Sequence, residues 1–495
     1  MVESIAEPDP GRGTDPRRWS AFAVCLIAGF MTLLDVSIVN VAMPSMQAGL
    51  GVSSGELSWT VAGYTLAFGL VLVPAGRLGD VFGRRTLLLS GLVLFTVTSL
   101  ACGSAPSGEW LVSARLAQGV AGGLLAPQVV GVMQQLFVGR ERGVAYGWYA
   151  AMIAAATAVG PVAGGLIVQG AGNANGWRWV FLVNVPIGVV AYALGARRIP
   201  HDRRRLDRTR GRTVRFDPVG VLLLGAGITL VTLPLTSFGG AQRWPAVGLG
   251  VVVLVGFAGW ERRCGGRGGQ PLINPALLRQ RSYVFAALIG VPYFAGYSAI
   301  PFITSLYLQQ GLGYTALASG ATGVPFAVGA AAGAALTGRF VIRLGRLLVL
   351  LGAVTVVIGL AATVVLIRTV HGTPIWLVLL GPFLLSGAGS GVVVGPNLTL
   401  ALHEVPPSEG GTAAAALQTA QRIGAAVGLA VTSSAFFGAL RASHRRFPAA
   451  AGKGLLYCIG FIALALVVAA ADVAFAARSK SGPPAASPEP AALSR

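Results

Sequence analysis

One acid stands alone in the first long apolar run of the chain. The stretch Leu34 to Pro44, LDVSIVNVAMP, closes an apolar segment that begins near Trp19, and its only charge is Asp35. A run of about 20 apolar residues crosses a bilayer as a helix, and an acid near the middle of such a span costs about 2.5–3.5 kcal/mol on insertion scales. The neighbours of Asp35 are apolar except Thr32, Ser37 and Asn40; Asn40 lies five residues on and Ser37 two, so they cannot all share one helical face with it. Two situations fit: a carboxyl at the membrane surface wetted by headgroups, or a carboxyl facing a water-filled cavity and exchanging a proton there. Arg115 lies in the fourth apolar run, within LVSARLAQGVAGG. A buried arginine is either bonded to helix carbonyls or paired with an acid whose protonation it follows. Arg422, the other cation placed inside a span, has no evident partner in the sequence.

A second kind of chemistry is mechanical. GRLGDVFGRR, Gly76 to Arg85, combines two glycines suited to a tight turn with the opposite charges of Asp80, Arg84 and Arg85. Such a cluster can latch two halves of a protein through charge pairs that break when the halves rock. An acid at the start of a short helix would also suit the helix dipole. AVGPVAGGL places Gly160, Pro161, Gly164 and Gly165 in the fifth apolar run. Small residues four apart let helices approach closely, and the proline bends the helix by removing a backbone hydrogen bond. Polar groups inside spans that could face a pathway are Asn40, Gln128, Asn397, Gln418 and Gln421. Tyr297 is expected to line a cavity, because aromatics with sparse polar groups suit amphipathic ligands. Tyr307 reads as a lipid-interface residue, and Asp217 and Asp472, near span ends, as reaching water.

The elements that position these residues follow from composition. The 495 residues are 54% hydrophobic and 11% charged, with a mean hydropathy of +0.72, whereas soluble domains carry about 25% charged residues. This is an all-α polytopic membrane protein with fourteen expected spans, because no alternating pattern supports a closed barrel. The domain plan is a cytoplasmic tail over 1–18, a six-helix bundle over 19–197, a basic loop over 198–217, a two-helix insert over 218–262, a loop over 263–282, a second six-helix bundle over 283–477, and a disordered tail over 478–495. With no apolar leader before it, the first span is expected to serve as the targeting signal. Basic residues concentrate in the loops that put both termini in the cytoplasm. Arg441, Arg445, Arg446 and Lys453 run against that bias. The loop after the second span recurs after the tenth as GRFVIRLGR, Gly338 to Arg346, with Ile342 where Asp80 stands in the first copy. Internal repetition of this kind marks secondary transporters, whose site lies between the halves.

Several of these segments carry a family likeness. GRLGDVFGRR resembles the G-x-L-x-D-x-x-G-R-R loop of the major facilitator superfamily, with Val81 where an arginine is common. Arg115 and Gly119 match its R-x-x-x-G pattern, and Gly160, Pro161, Gly164 and Gly165 its antiporter motif, with Ala156 for the leading glycine. LDVSIVNVAMP and WRWVFLVNVPIG, Trp177 to Gly188, are similar to the first and sixth spans of the fourteen-span drug:proton antiporters. The resemblance implies two six-helix bundles plus a two-helix insert, and export of drugs, antibiotics or related amphipathic compounds in exchange for protons. Asp35 and Arg115 would couple the proton, Gly76, Asp80, Gly83, Arg84 and Arg85 would gate the inner face, and no cofactor would be needed.

Other classes fit poorly. The basic residues sit between apolar runs and form no soluble patch for nucleic acid; the run from Arg197 to Arg215 suits anionic lipid heads. There is no G-x-x-x-x-G-K-[ST] loop for ATP, and Cys25, Cys102, Cys264 and Cys458 lack metal or redox spacing. His201, His371, His403 and His444 form no metal-ligand cluster, and no catalytic constellation suggests an enzyme. The expected partners are a small amphipathic substrate, protons and membrane lipid, with a monomer as the working unit. A uniporter or importer of a small metabolite, or a non-transporting sensor on the same fold, are the alternatives.

Overall fold

The computed structural model describes residues 18–137, 139–172, 174–200, 217–237, 243–266, 277–337, 340, 344–370, 374–405, 410–443 and 446–480. Most of the basic 198–217 loop, the 267–276 part of the loop before the second bundle, Gly338, Arg339 and Ile342 of the second loop copy, and the tail from 481 onward lie outside the described residues. So do His201, His371, His444 and Arg445.

Fourteen helices are long and apolar enough to cross a membrane. In chain order they are α1 (Arg18–Leu50), α2 (Ser54–Gly79), α3 (Arg84–Gly103), α4 (Gly108–Leu136), α5 (Gly147–Ala171), α6 (Gly176–Arg198), α7 (Pro218–Leu235), α8 (Arg243–Gly266), α9 (Arg281–Gly311), α10 (Ala316–Thr337), α11 (Arg346–Thr369), α12 (Ile375–Leu402), α13 (Ala413–Ala442) and α14 (Phe447–Ala476). The first outruns the apolar segment read from the sequence, continuing past Pro44 to Leu50.

Three spans are interrupted, each for the same reason. A proline clashes with the carbonyl four residues before it and offers no N–H. α6 breaks at Val183, before Pro186; α9 breaks at Ser298 and Ala299, before Pro301; α10 breaks at Gly323, before Pro325. In each, the first piece ends at or beside the residue four positions ahead of the proline. At the break in α9 the freed backbone is covered by protein. Ala299 is fully buried, and the Ser298 hydroxyl donates to the Ala425 carbonyl of α13 at 3.0 Å.

α1–α6 and α9–α14 pack chiefly among themselves, and the two sets meet along α2 with α13, α5 with α10, and α1 with the second piece of α9. α4 and α12 pack principally within their own sets. The seam is firmest at the end where α1 finishes. There Gln309 donates to the Val41 carbonyl and Gln310 to the Gln47 side chain, each at 2.9 Å. One continuous apolar cluster also joins Ile38 and Met46 of α1 and Phe181 of α6 to Ile300, Leu306 and Tyr307 of α9. Tyr307, expected at a lipid interface, is therefore a core residue. The insert, α7 and α8, lies over the α2–α13 seam, where Leu224, Ile228 and Phe257 join Trp59, Leu66, Ala416 and Ala426 in one cluster.

Candidate functional site

Asp35 sits at the centre of the first bundle and is fully buried. Three side chains supply the polarity around it. Arg115 Nη1 reaches Asp35 Oδ2 at 2.6 Å. Gln118 Nε2 donates to Oδ1 at 3.0 Å, and Asn184 Nδ2 donates to the same oxygen at 2.9 Å. Arg115 donates further to the Thr60 carbonyl at 2.9 Å and to Gln118 Oε1 at 2.8 Å. Its guanidinium lies 4.2 Å over the Tyr64 ring. Ser99 accepts the other Gln118 proton at 2.8 Å. Both situations open for Arg115 in the sequence are thus met at once: it bonds a helix carbonyl and pairs with the acid.

The backbone explains how α1, α2, α4 and α6 converge. At Gly119 a Cβ would lie 2.4 Å from the Tyr64 carbonyl, and at Gly123 2.6 Å from that of Phe68. Glycine alone lets α4 run this close to α2, which sets Arg115 beside Thr60 and Tyr64. The break in α6 turns Asn184 inward. Gln118 and Asn184 carry roles the sequence reading did not assign. The signals were present: Gln118 lies one turn after Arg115, and Asn184 two residues ahead of Pro186.

The glycine-rich stretch of α5 makes contacts on two faces. A Cβ at Gly160 would fall 1.7 Å from Ser37 Oγ, and one at Gly164 2.8 Å from Ile38 Cγ1, both on α1. A Cβ at Gly165 would fall 2.4 Å from Leu317 Cα, and the Pro161 carbonyl occupies the Cβ position of Gly320. Ser37 donates to the Ala156 carbonyl at 3.2 Å. One face of α5 therefore belongs to the first bundle and the other rests directly on α10 of the second.

The loop at Gly76–Arg85 differs from expectation. The helix continues to Phe82, so Gly76 and Asp80 are helical and only Gly83, at φ +88°, makes the turn. Asp80 occupies the last helical turn and not the start of a short helix, the end where the helix dipole opposes an acid. Arg85 donates to the Ala196 carbonyl at 2.6 Å, and the Arg84 guanidinium rests where a Gly131 side chain would be. The second copy repeats the turn at Gly345, φ +47°, followed at once by Arg346. Asp472 binds Arg346 and lies 3.6 Å from Arg281. It is 5% exposed, and Asp217, which accepts from Trp260 at 3.0 Å, is 7% exposed. Neither acid reaches water, because each has a partner from another helix.

The polar candidates for the pathway divide. Gln128 is buried and donates to the Ala75 carbonyl at 2.8 Å; Asn397 is buried and donates to that of Ala286 at 3.0 Å. Both tie neighbouring helices together. Gln421 and Asn397 converge over Gly290. Asn40 donates to the Val36 carbonyl at 3.0 Å, and its amide oxygen finds no partner among the described residues. Gln418 is exposed and Tyr297 half-buried. Tyr297 stacks on Tyr293 at 5.9 Å and packs on Phe326 at 5.8 Å.

Fourteen apolar helices in two bundles with a small insert, and a buried ion pair within the first bundle, describe a multi-pass membrane protein. Residues 25–429 match the Major Facilitator Superfamily model, and the chain belongs to that superfamily. Its relatives include the probable actinorhodin transporter of Streptomyces coelicolor, 35% identical over 88% of this chain and 76% of the relative. The puromycin resistance protein pur8 of Streptomyces alboniger is 34% identical over 92% of each chain. Among solved structures, the partially occluded inward-open xylose transporter XylE from E. coli superposes with a TM-score of 0.63 at 16% identity, covering 93% of this chain and 98% of that one. That likeness concerns the fold alone.

Proposed function

We propose that the chain is a proton-coupled antiporter that exports drugs, antibiotics or related amphipathic compounds, with Asp35 as the proton-carrying group and Arg115 as its counter-ion. The observation that carries this is the isolation of the pair. Asp35 is the acid of α1, it is buried at the centre of the first bundle, and all its partners are donors. A proton arriving on Asp35 removes the charge that holds Arg115, Gln118 and Asn184. These lie on α4 and α6, so the change is felt across the first bundle. A buried pair that loses one charge is destabilised by about 3–5 kcal/mol, ample to move a transporter between two conformations of similar energy. With both termini cytoplasmic, the seam at Leu50 is the outer gate, and the bundles part on the inner side to receive substrate. Gly76, Asp80, Gly83, Arg84 and Arg85 then belong to the inner gate, and the glycines of α5 to the sliding contact between bundles. Asn40, Tyr297, Gln418 and Gln421 remain candidates for substrate contact. Relatives described as antibiotic resistance and export proteins support the direction of transport.

The test uses inverted membrane vesicles with an acid lumen, a pH dye, and a panel of lipophilic cations, zwitterions, acids and neutral antibiotics. Antiport releases protons from the lumen when a substrate is added. Drug uptake that proceeds equally without a gradient would favour the uniporter.

A further inference from the structure

Arg422 is the cation that the coupling network leaves unused. An arginine inside a span is paired, or faces a cavity that supplies its partner. Arg115 has Asp35; Arg422 has no acid among the described residues. The titratable groups within electrostatic reach of it are three phenols, Tyr64, Tyr149 and Tyr297. Among the described residues it takes part in no hydrogen bond or ion pair, and its one ring contact is with Phe68, 4.6 Å below the guanidinium.

Its position is as telling as its isolation. Arg422 lies on α13 where that helix crosses α2, and Gly69 permits the approach: a Cβ there would sit 2.7 Å from Arg422 Cβ. Thr419 locks the crossing by donating to the Gly69 carbonyl at 2.9 Å. The phenols within its electrostatic reach come from α2 and α5 of one bundle and from the end of the first piece of α9 in the other. Arg422, half-buried, thus sits between the halves, with its guanidinium over the Phe68 ring.

We propose that Arg422 is the recognition point for an anionic oxygen on the substrate, a carboxylate or an ionised phenol, borne on a flat aromatic body that packs against Phe68 and Tyr297. The inference rests on the export reading and narrows its substrate class. A guanidinium presents a planar fork that matches a carboxylate, and offset aromatic stacking suits a polycyclic ligand. The same fork repels a cation. Phe68 and Tyr64 are one helical turn apart, one ring under Arg422 and the other under Arg115, so α2 joins the substrate point to the proton-carrying pair.

The test uses purified full-length protein in nanodiscs and a matched series on one scaffold: 1-pyrenebutyrate, its methyl ester, and 1-pyrenebutylamine. Wild type should bind the carboxylate about tenfold or more tightly than the amine. Arg422→Gln should abolish that preference, and Arg422→Lys should keep part of it. Without ligand, Arg422→Gln should melt no lower than wild type, since it removes a half-buried charge that has no acid beside it among the described residues; a marked drop would make Arg422 a structural residue and overturn the proposal. It is equally overturned if wild type binds the amine as well as the carboxylate, binds no member of the series, or keeps its preference in Arg422→Gln. Vesicle experiments separate this from the export reading. Proton release driven by cations but not by acids strikes only the anion site, whereas no release with compounds of any charge strikes antiport itself.

Discussion

Replacing Gly165 by alanine puts a methyl group 2.4 Å from Leu317 Cα and 2.7 Å from the Ala316 carbonyl. Both obstacles are backbone, so no rotamer change relieves them. Ordinary carbon contact needs about 3.5 Å or more, so α5 and α10 must part by about 1 Å. Overpacking of this kind costs about 1–3 kcal/mol. The contact joins the two bundles, so the cost falls on the conformation in which they are sealed at the Leu50 end. The ratio of sealed to open molecules should fall by about 5–150-fold. Gln47 and Gln310 report this directly, because their side chains meet at 2.9 Å across the same seam. In a Cys264→Ser background, Gln47→Cys with Gln310→Cys should cross-link readily in membranes, and adding Gly165→Ala should suppress the cross-link. Gly160→Ala is the control. Its methyl meets Ser37 Oγ and lies 2.7 Å from Ser37 Cβ, both within the first bundle, so the strain falls inside one bundle and cross-linking between the two should persist. Equal cross-linking with and without Gly165→Ala, in protein of normal yield, would refute this account of the α5 contact.

Further outcomes follow from the same geometry. Asn184→Ala removes one charge-assisted bond to Asp35 and should lower thermal stability in detergent by about 1–3 kcal/mol; an unchanged melting curve would mean that the α6 break serves another purpose. Arg115→Gln should destabilise more, by about 3–5 kcal/mol, and the double change Asp35→Asn with Arg115→Gln should recover part of that loss, as a double-mutant cycle will show. Gly83→Ala forces a side chain into φ +88°, costing about 1–3 kcal/mol, and should depress folded yield in membranes more than Gly76→Ala, which stays helical. Asp472→Asn should loosen the start of α11 by freeing Arg346, read as faster hydrogen exchange over 344–350.

Much of this was legible in the chain. Fourteen apolar runs, the repeated glycine–arginine loop and the lone acid of α1 follow from bilayer physics alone, because uncompensated charges and unsatisfied backbone are too costly to be accidental there. Asp35 and Arg115 could each be singled out, yet their joining could not: it depends on Gly119 and Gly123 drawing α4 onto α2, a fact of packing. Asn184 is 149 residues from Asp35, and only the break before Pro186 brings it round. The loop glycines misled for a related reason. Gly76 looks like a turn residue, but inside a bilayer the backbone keeps its helical bonds as long as it can, and the turn waits until Gly83. Asp217 and Asp472 looked solvated because their partners, Trp260, Arg346 and Arg281, come from helices that only the fold places beside them.

The central claim is that Asp35 carries the proton, and one comparison tests it most directly. Asp35→Asn protein in proteoliposomes is loaded with a substrate identified by the vesicle panel, then assayed twice: for exchange of labelled against unlabelled substrate without a gradient, and for accumulation driven by a pH gradient. The account predicts that exchange survives while gradient-driven accumulation and substrate-dependent proton movement disappear. Accumulation that persists in Asp35→Asn would contradict it and move the coupling group elsewhere in the chain.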